Sequence, residues 1–242
     1  MKIVAKFLNR LFRKTTFAQP NFTEELWNKP EKIDNLKNLW YYGTEAEWRK
    51  ALDGYYYTLR NEQREIEEYI ERISIDKIEN MTAEEFYDFL FDKYFVWKYT
   101  AKNRLATTRK NLEKYIENDE LLLLQDIQSR LFSASKNEIE TCLKIASEIR
   151  GLGTAGASGL LAILYPKHFG TVDQFVVKRL QEIDHSIFNN ELNSMNPERL
   201  RIQDGVLLIR IMKEKARELN NKFNSDFWTP RKIDMILWSF GR

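Results

Sequence analysis

The sequence predicts an all-α protein, and three observations carry that expectation. Apolar residues recur at three- and four-residue steps through most of the chain, as at Ile139, Leu143, Ala146 and Ile149. No alternating apolar–polar run demands a sheet; "GTVDQFVV" is the one β-branched patch of note, and it is short. Helix-opening signatures stand where the periodicity starts. Thr82-Ala-Glu-Glu85 and Ser135-Lys-Asn-Glu138 both read as capping boxes, in which a hydroxyl and a carboxylate satisfy each other's backbone N–H.

Taken in order, the first segment is "MKIVAKFLNRLFRK". It sets Val4, Phe7, Leu8, Leu11 and Phe12 on one helical stripe with bases opposite. We read it as an N-terminal helix packed on the fold, the other reading being a basic arm on a polyanion. Residues 20–58 are aromatic and broken by Pro20, Pro30, Gly43 and Gly54, which predicts short helices joined by turns. Residues 59–72 form a charged helix with Ile66 and Ile70 inward, and Thr82 opens another that carries Phe86, Leu90 and Phe91. Helices follow over 100–116 and 119–131, then from Ser135. "TAGASGLLAILY" is a further helix, stopped by Pro166. The chain ends in two more, the last with Pro230 in its first turn.

The 242 residues suffice for one sizeable core or two small lobes sharing one. We divide them into an aromatic-rich helical region (1–85), a central core (86–185) and C-terminal helices folding back on it (186–242). A single cysteine, Cys142, excludes an internal disulfide, a cysteine-ligated iron–sulfur cluster and a structural zinc site, and fits a cytoplasmic location. Two histidines are too few for a His-rich metal centre, and no metal or cofactor is expected. No apolar run is long enough to span a membrane. The net charge of +2 says little, but its distribution says more. Residues 1–20 and 97–110 each hold five bases and no acid, whereas 60–88 hold ten acids against four bases. Such segregation gives one basic and one acidic surface.

Five of the nine glycines fall between 151 and 170. "GLGTAG", from Gly151, matches the G-x-G-x-x-G fingerprint of dinucleotide-binding folds. That fold needs a buried strand just before the first glycine, and here an amphipathic helix precedes it. The alternative is helix, tight turn, helix. Gly151 and Gly153 would permit the turn and Leu152 would anchor it. Small residues at Ala157 and Gly159 would let the helices pack closely. N–H groups near Gly153 and Thr154 would point outward at the start of the second helix, where an anion binds well. A hairpin with a Gly-rich turn and no ligand is the plainer reading of the turn alone.

Downstream, the loop "PKHFGTV" leads to Asp173, twenty residues after Gly153, and then to "QFVVKRL" in helical pattern. Asp173 suits an N-cap. Glycine turn, spacing and aspartate together resemble the helix-hairpin-helix DNA glycosylase (HhH-GPD) superfamily, over residues 137–181. A looser likeness covers "FVWKYTAKNRLATTRKNLEKY", similar to an early helix that touches the extruded nucleotide. The resemblance implies two helical lobes flanking a DNA-binding cleft, with double-stranded DNA carrying a modified base as the partner of a monomer. It implies Asp173 as the catalytic carboxylate beside C1′ and DNA contacts from Arg150, Gly151, Leu152, Gly153, Thr154, Ala155, Lys98, Lys102 and Arg104. It places Trp97, Tyr99, Thr100 and Gln174 about the base.

Two departures qualify the activity implied. Bifunctional members carry a lysine where this chain has Ala155, so we expect base removal by water without strand cleavage. The long aromatic N-terminal region is unlike the compact repair enzymes. It suits a bulky base, such as the glucosylated hydroxymethylcytosine that an antiviral bacterial type removes from phage DNA. The other functional class is a catalytically inactive helix-hairpin-helix DNA-binding protein.

Overall fold

The computed structural model describes residues 35–183 and 188–241. The expected helix within residues 1–14 and the start of the aromatic stretch lie outside the described residues. Every regular element among those described is helical.

The first helices are fixed by their caps. Asn35 accepts the Asn38 N–H at 3.0 Å to open α1 (Leu36–Tyr42). Thr44 and Glu47 form a reciprocal box at the start of α2 (Glu45–Thr58). α2 runs straight through Gly54, where the sequence reading placed a turn. A glycine there costs about 1 kcal/mol relative to alanine. Burial of Trp48, Ala51, Leu52 and Tyr55 along one face outweighs it.

α3 (Asn61–Arg72) and α4 (Ile75–Glu79) lead to α5 (Ala83–Phe89). The Thr82 box forms as expected: Glu85 N–H donates to Thr82 Oγ1 at 3.3 Å, and Thr82 N–H to Glu85 Oε2 at 2.9 Å. α5 does not stop at Phe89. It passes through a π turn, Leu90–Tyr94, into α6 (Phe95–Lys98). The wider turn absorbs an extra residue, so side chains beyond it are rotated relative to those before it. Phe86, Leu90, Tyr94 and Phe95 all become fully buried.

α7 (Lys102–Glu117) and α8 (Leu121–Ser133) follow, then α9 (Ile139–Ser147). Here the second capping box fails. Residues 135–138 form a turn closed by Glu138 N–H to Ser135 O at 3.0 Å, and α9 starts only at Ile139, with no side-chain cap. The segment instead serves the helix before it. The Lys136 ammonium donates to the carbonyls of Leu131, Phe132 and Ala134, neutralising the C-terminal end of α8.

α10 (Thr154–Leu164) is the most apolar helix, with Ala157, Leu160, Leu161, Ala162 and Leu164 fully buried. Around it pack α9, α13 (Ile202–Phe223) and α14 (Pro230–Phe240). α11 (Gln174–Ile183) packs on α14 and on α1, and α12 (Asn189–Ser194) packs on α11. α2 lies against α14, so helices distant in the chain share one hydrophobic core from Leu36 to Leu237. No described helix is long and apolar enough to cross a membrane.

Candidate functional site

Between α9 and α10 the chain makes the tight turn that the glycines suggested. Leu152 N–H donates to Ile149 O at 2.9 Å. The Leu152 side chain is buried between the helices. The two glycines have different reasons to be there. Gly151 has φ +94°, and a Cβ would lie 2.8 Å from the Thr108 carbonyl oxygen. Gly153 is extended, at φ −97° and ψ −172°, and a Cβ there would meet nothing within 4 Å. The backbone therefore requires glycine only at 151. What Gly153 leaves open is space outside the first turn of α10.

That turn has no side-chain cap, and its first backbone bond is Ala157 N–H to Gly153 O at 2.8 Å. The N–H groups of Thr154, Ala155 and Gly156 precede it at the positive end of the helix dipole. Gly151→Ala should destabilise the fold by about 1–3 kcal/mol, from strain and overlap. Gly153→Ala should leave the thermal midpoint unchanged, because the added methyl meets nothing within 4 Å. Thermal unfolding of both variants checks this pair, and equal stability losses would refute it.

Beyond α10 the chain returns to Asp173 along a pinned loop. Val172 N–H donates to Ser158 Oγ at 2.9 Å, and Thr171 N–H to Asp234 Oδ2 at 2.6 Å. Asp173 then divides its two oxygens. Oδ1 accepts the N–H groups of Phe175 (2.9 Å) and Val176 (3.2 Å), capping α11. Oδ2 faces the Lys98 ammonium at 3.9 Å, with side-chain exposures of 19% and 8%.

Lys98 reaches that position because α6 crosses α10 over small residues. A Cβ on Gly159 would lie 2.9 Å from Tyr94 Oη and 3.1 Å from Lys98 Cδ; one on Gly156 would lie 2.5 Å from Tyr99 Oη. Gly159 thus makes room for α6, whereas the sequence reading gave it to packing within the hairpin. Tyr94 also donates to the Gly156 carbonyl. Burial pushes the Lys98 ammonium below its ordinary pKa, and Asp173 and Asp234 act against that shift.

The other sequence-derived residues separate into two groups. Thr100, Lys102 and Arg104 are exposed at the start of α7, and Gln174 is half-buried beside Asp173. Tyr99 is half-buried with its ring edge-on to Phe95. Arg150 pairs with Glu120 and lies over the Tyr115 ring at 4.5 Å. Trp97 turns inward: its indole N–H donates to Glu67 at 2.6 Å, and its ring lies 5.0 Å from the Arg231 guanidinium.

Sequence reasoning missed the buried network behind the site. Arg231 donates to Glu67 Oε1 at 2.7 Å and to Asp234 Oδ1 at 2.6 Å, while Tyr55 donates to Glu67 Oε2 at 2.7 Å. Burial pushes the Asp234 carboxyl above its ordinary pKa, against Arg231 and the Thr171 N–H. Through Asp234 the network grips the loop that presents Asp173. Among the described residues, no three His, Cys, Asp or Glu side chains cluster to hold a metal ion. No protein-family model matches the chain, nor does any curated protein or solved structure.

Proposed function

We propose that the chain is a monofunctional DNA glycosylase that extrudes a modified base and hydrolyses its N-glycosidic bond. The observation that carries this reading is the division of labour at Asp173. One oxygen is spent on a helix cap, and the other is left toward Lys98, on a loop following an uncapped helix start. The uncapped start of α10, at the exposed Gly153 ahead of the buried Thr154, would seat a phosphate, positioning DNA without reading its sequence. Lys102 and Arg104 would add backbone contacts.

The deoxyribose would come to the Oδ2 side of Asp173, beside Lys98. As the C1′–N bond breaks, its electron pair leaves with the base and positive charge develops on the sugar. The carboxylate stabilises that charge and orients a water. The water oxygen bonds to C1′, its proton passes to the carboxylate, and a further proton from solvent neutralises the departing base. Lys98 holds the carboxylate in place. Ala155, where bifunctional members have a lysine, supports release of an intact abasic strand. The substrate we favour is double-stranded phage DNA bearing glucosylated hydroxymethylcytosine, attacked by a monomer in the cytoplasm in antiviral defence.

The test is mass spectrometry of bases released from modified phage DNA and from oxidised or alkylated DNA, followed by alkali. Base release with alkali-dependent breaks supports the reading. Release only from damaged DNA would sink the defence role, and strand breaks without alkali would overturn the monofunctional mechanism. The second reading, an inactive DNA-binding module, is favoured by the engagement of Trp97 with Glu67, which keeps that aromatic from a base. DNA binding with no base release from any substrate would support it.

A further inference from the structure

At the end of α10 away from the hairpin turn, a groove of ≈ 530 Å³ opens beside α13 and the 228–230 segment. Arg210, Lys213 and Arg217 line it from one face of α13, three and four residues apart, and Lys167 faces it from the turn after α10. The lining holds one acid, Glu214. Among the described residues none of the four bases closes an ion pair. Glu140, within electrostatic reach of Arg210, is held by Lys144 at 2.7 Å. The positive field is felt nearby: burial lowers the His168 pKa, and Lys213, Lys136 and Lys167 lower it further. In the groove wall, the buried Trp228 indole N–H has no acceptor.

Three like charges on one helix face repel one another, so the stripe gains from an anion laid across it. Its length indicates which anion. Arg210 to Arg217 spans about 10 Å of helix axis. A duplex strand rises about 3.4 Å per phosphate along the duplex axis, so the stripe spans about three such steps where α13 runs along that axis. We infer that this groove seats the phosphate backbone of a nucleic-acid strand, as a second contact about 16 Å along α10 from the hairpin turn. The inference takes its ligand from the reading above, that the protein works on DNA.

The experiment is anisotropy of labelled duplex DNA across a salt series, for the wild type and for Arg210→Gln/Lys213→Gln/Arg217→Gln. Neutral replacements avoid new repulsion, and thermal unfolding of the variant establishes that it folds. The slope of log affinity against log salt should fall by about 2–3, with affinity at low salt down at least about tenfold. An unchanged slope overturns the inference, as does a wild type that fails to bind DNA. Base release separates the two ideas. A groove-dependent slope without base release refutes only the glycosylase, and base release with an unchanged slope refutes only the groove.

Discussion

Asp173→Asn should lower base release by about 10²–10⁴-fold, the range for a positioned acid–base group, while duplex affinity is kept and the thermal midpoint falls only by what the buried Lys98 loses with its charge partner. The substitution separates two roles that one side chain holds. Asparagine caps helices about as well as aspartate, so the bonds from Phe175 and Val176 survive. What disappears is the negative charge on the oxygen facing Lys98. If Asp173 were only a cap, single-turnover base release would be unchanged, and that result would sink the mechanism. Asp173→Ala is the less informative variant, because it removes cap and charge together and would unsettle α11.

Arg231→Met should destabilise the protein by about 3–5 kcal/mol, read as a fall in the urea midpoint. The guanidinium lies between Glu67 and Asp234, both buried, with the Tyr55 ring at 5.7 Å and the Trp97 ring at 5.0 Å. Methionine fills much of the volume but strands two carboxylates away from water. Most of the loss therefore comes from what remains, not from the pair itself. The triple variant Arg231→Met/Glu67→Gln/Asp234→Asn should recover a large part of it, since neutral amides are cheaper to bury. A loss below about 1 kcal/mol in the single variant would mean that the network is not a buried ionic one.

Local signals made much of the architecture legible. Thr82 opened its helix because hydroxyl and carboxylate lay three residues apart with apolar periodicity behind them. Ser135 and Glu138 have the same spacing, yet Lys136 between them is drawn to the carbonyls ending α8, and that competition from the helix just before leaves no mark in a four-residue pattern. Gly54 misled in the other direction: the apolar face of α2 overrides a residue that favours turns. At the site, the hairpin and Asp173 could be found because their spacing is local. The partner of Asp173 could not, since Lys98 arrives from a helix 75 residues upstream through a π turn that no periodicity announces. Arg231 meets Glu67 across 164 residues. One clue was present: Asp234 shares the stripe of Pro230, Ile233 and Leu237, and Glu67 lies three residues before Ile70. An acid on an apolar face announces a buried partner without naming it.

The π turn at Leu90–Tyr94 gives the site an unusual kind of fragility. Each residue of an α-helix turns the chain by about 100°. Closing the turn into regular α form with all its residues kept would swing Lys98 through about that angle, away from Asp173, whereas deleting one residue along with the closure would restore the phase. Every chemically important side chain would still be present in such a re-wound helix. The lesion would lie in helical phase, invisible to an inventory of residues and decisive for the encounter between amine and carboxylate.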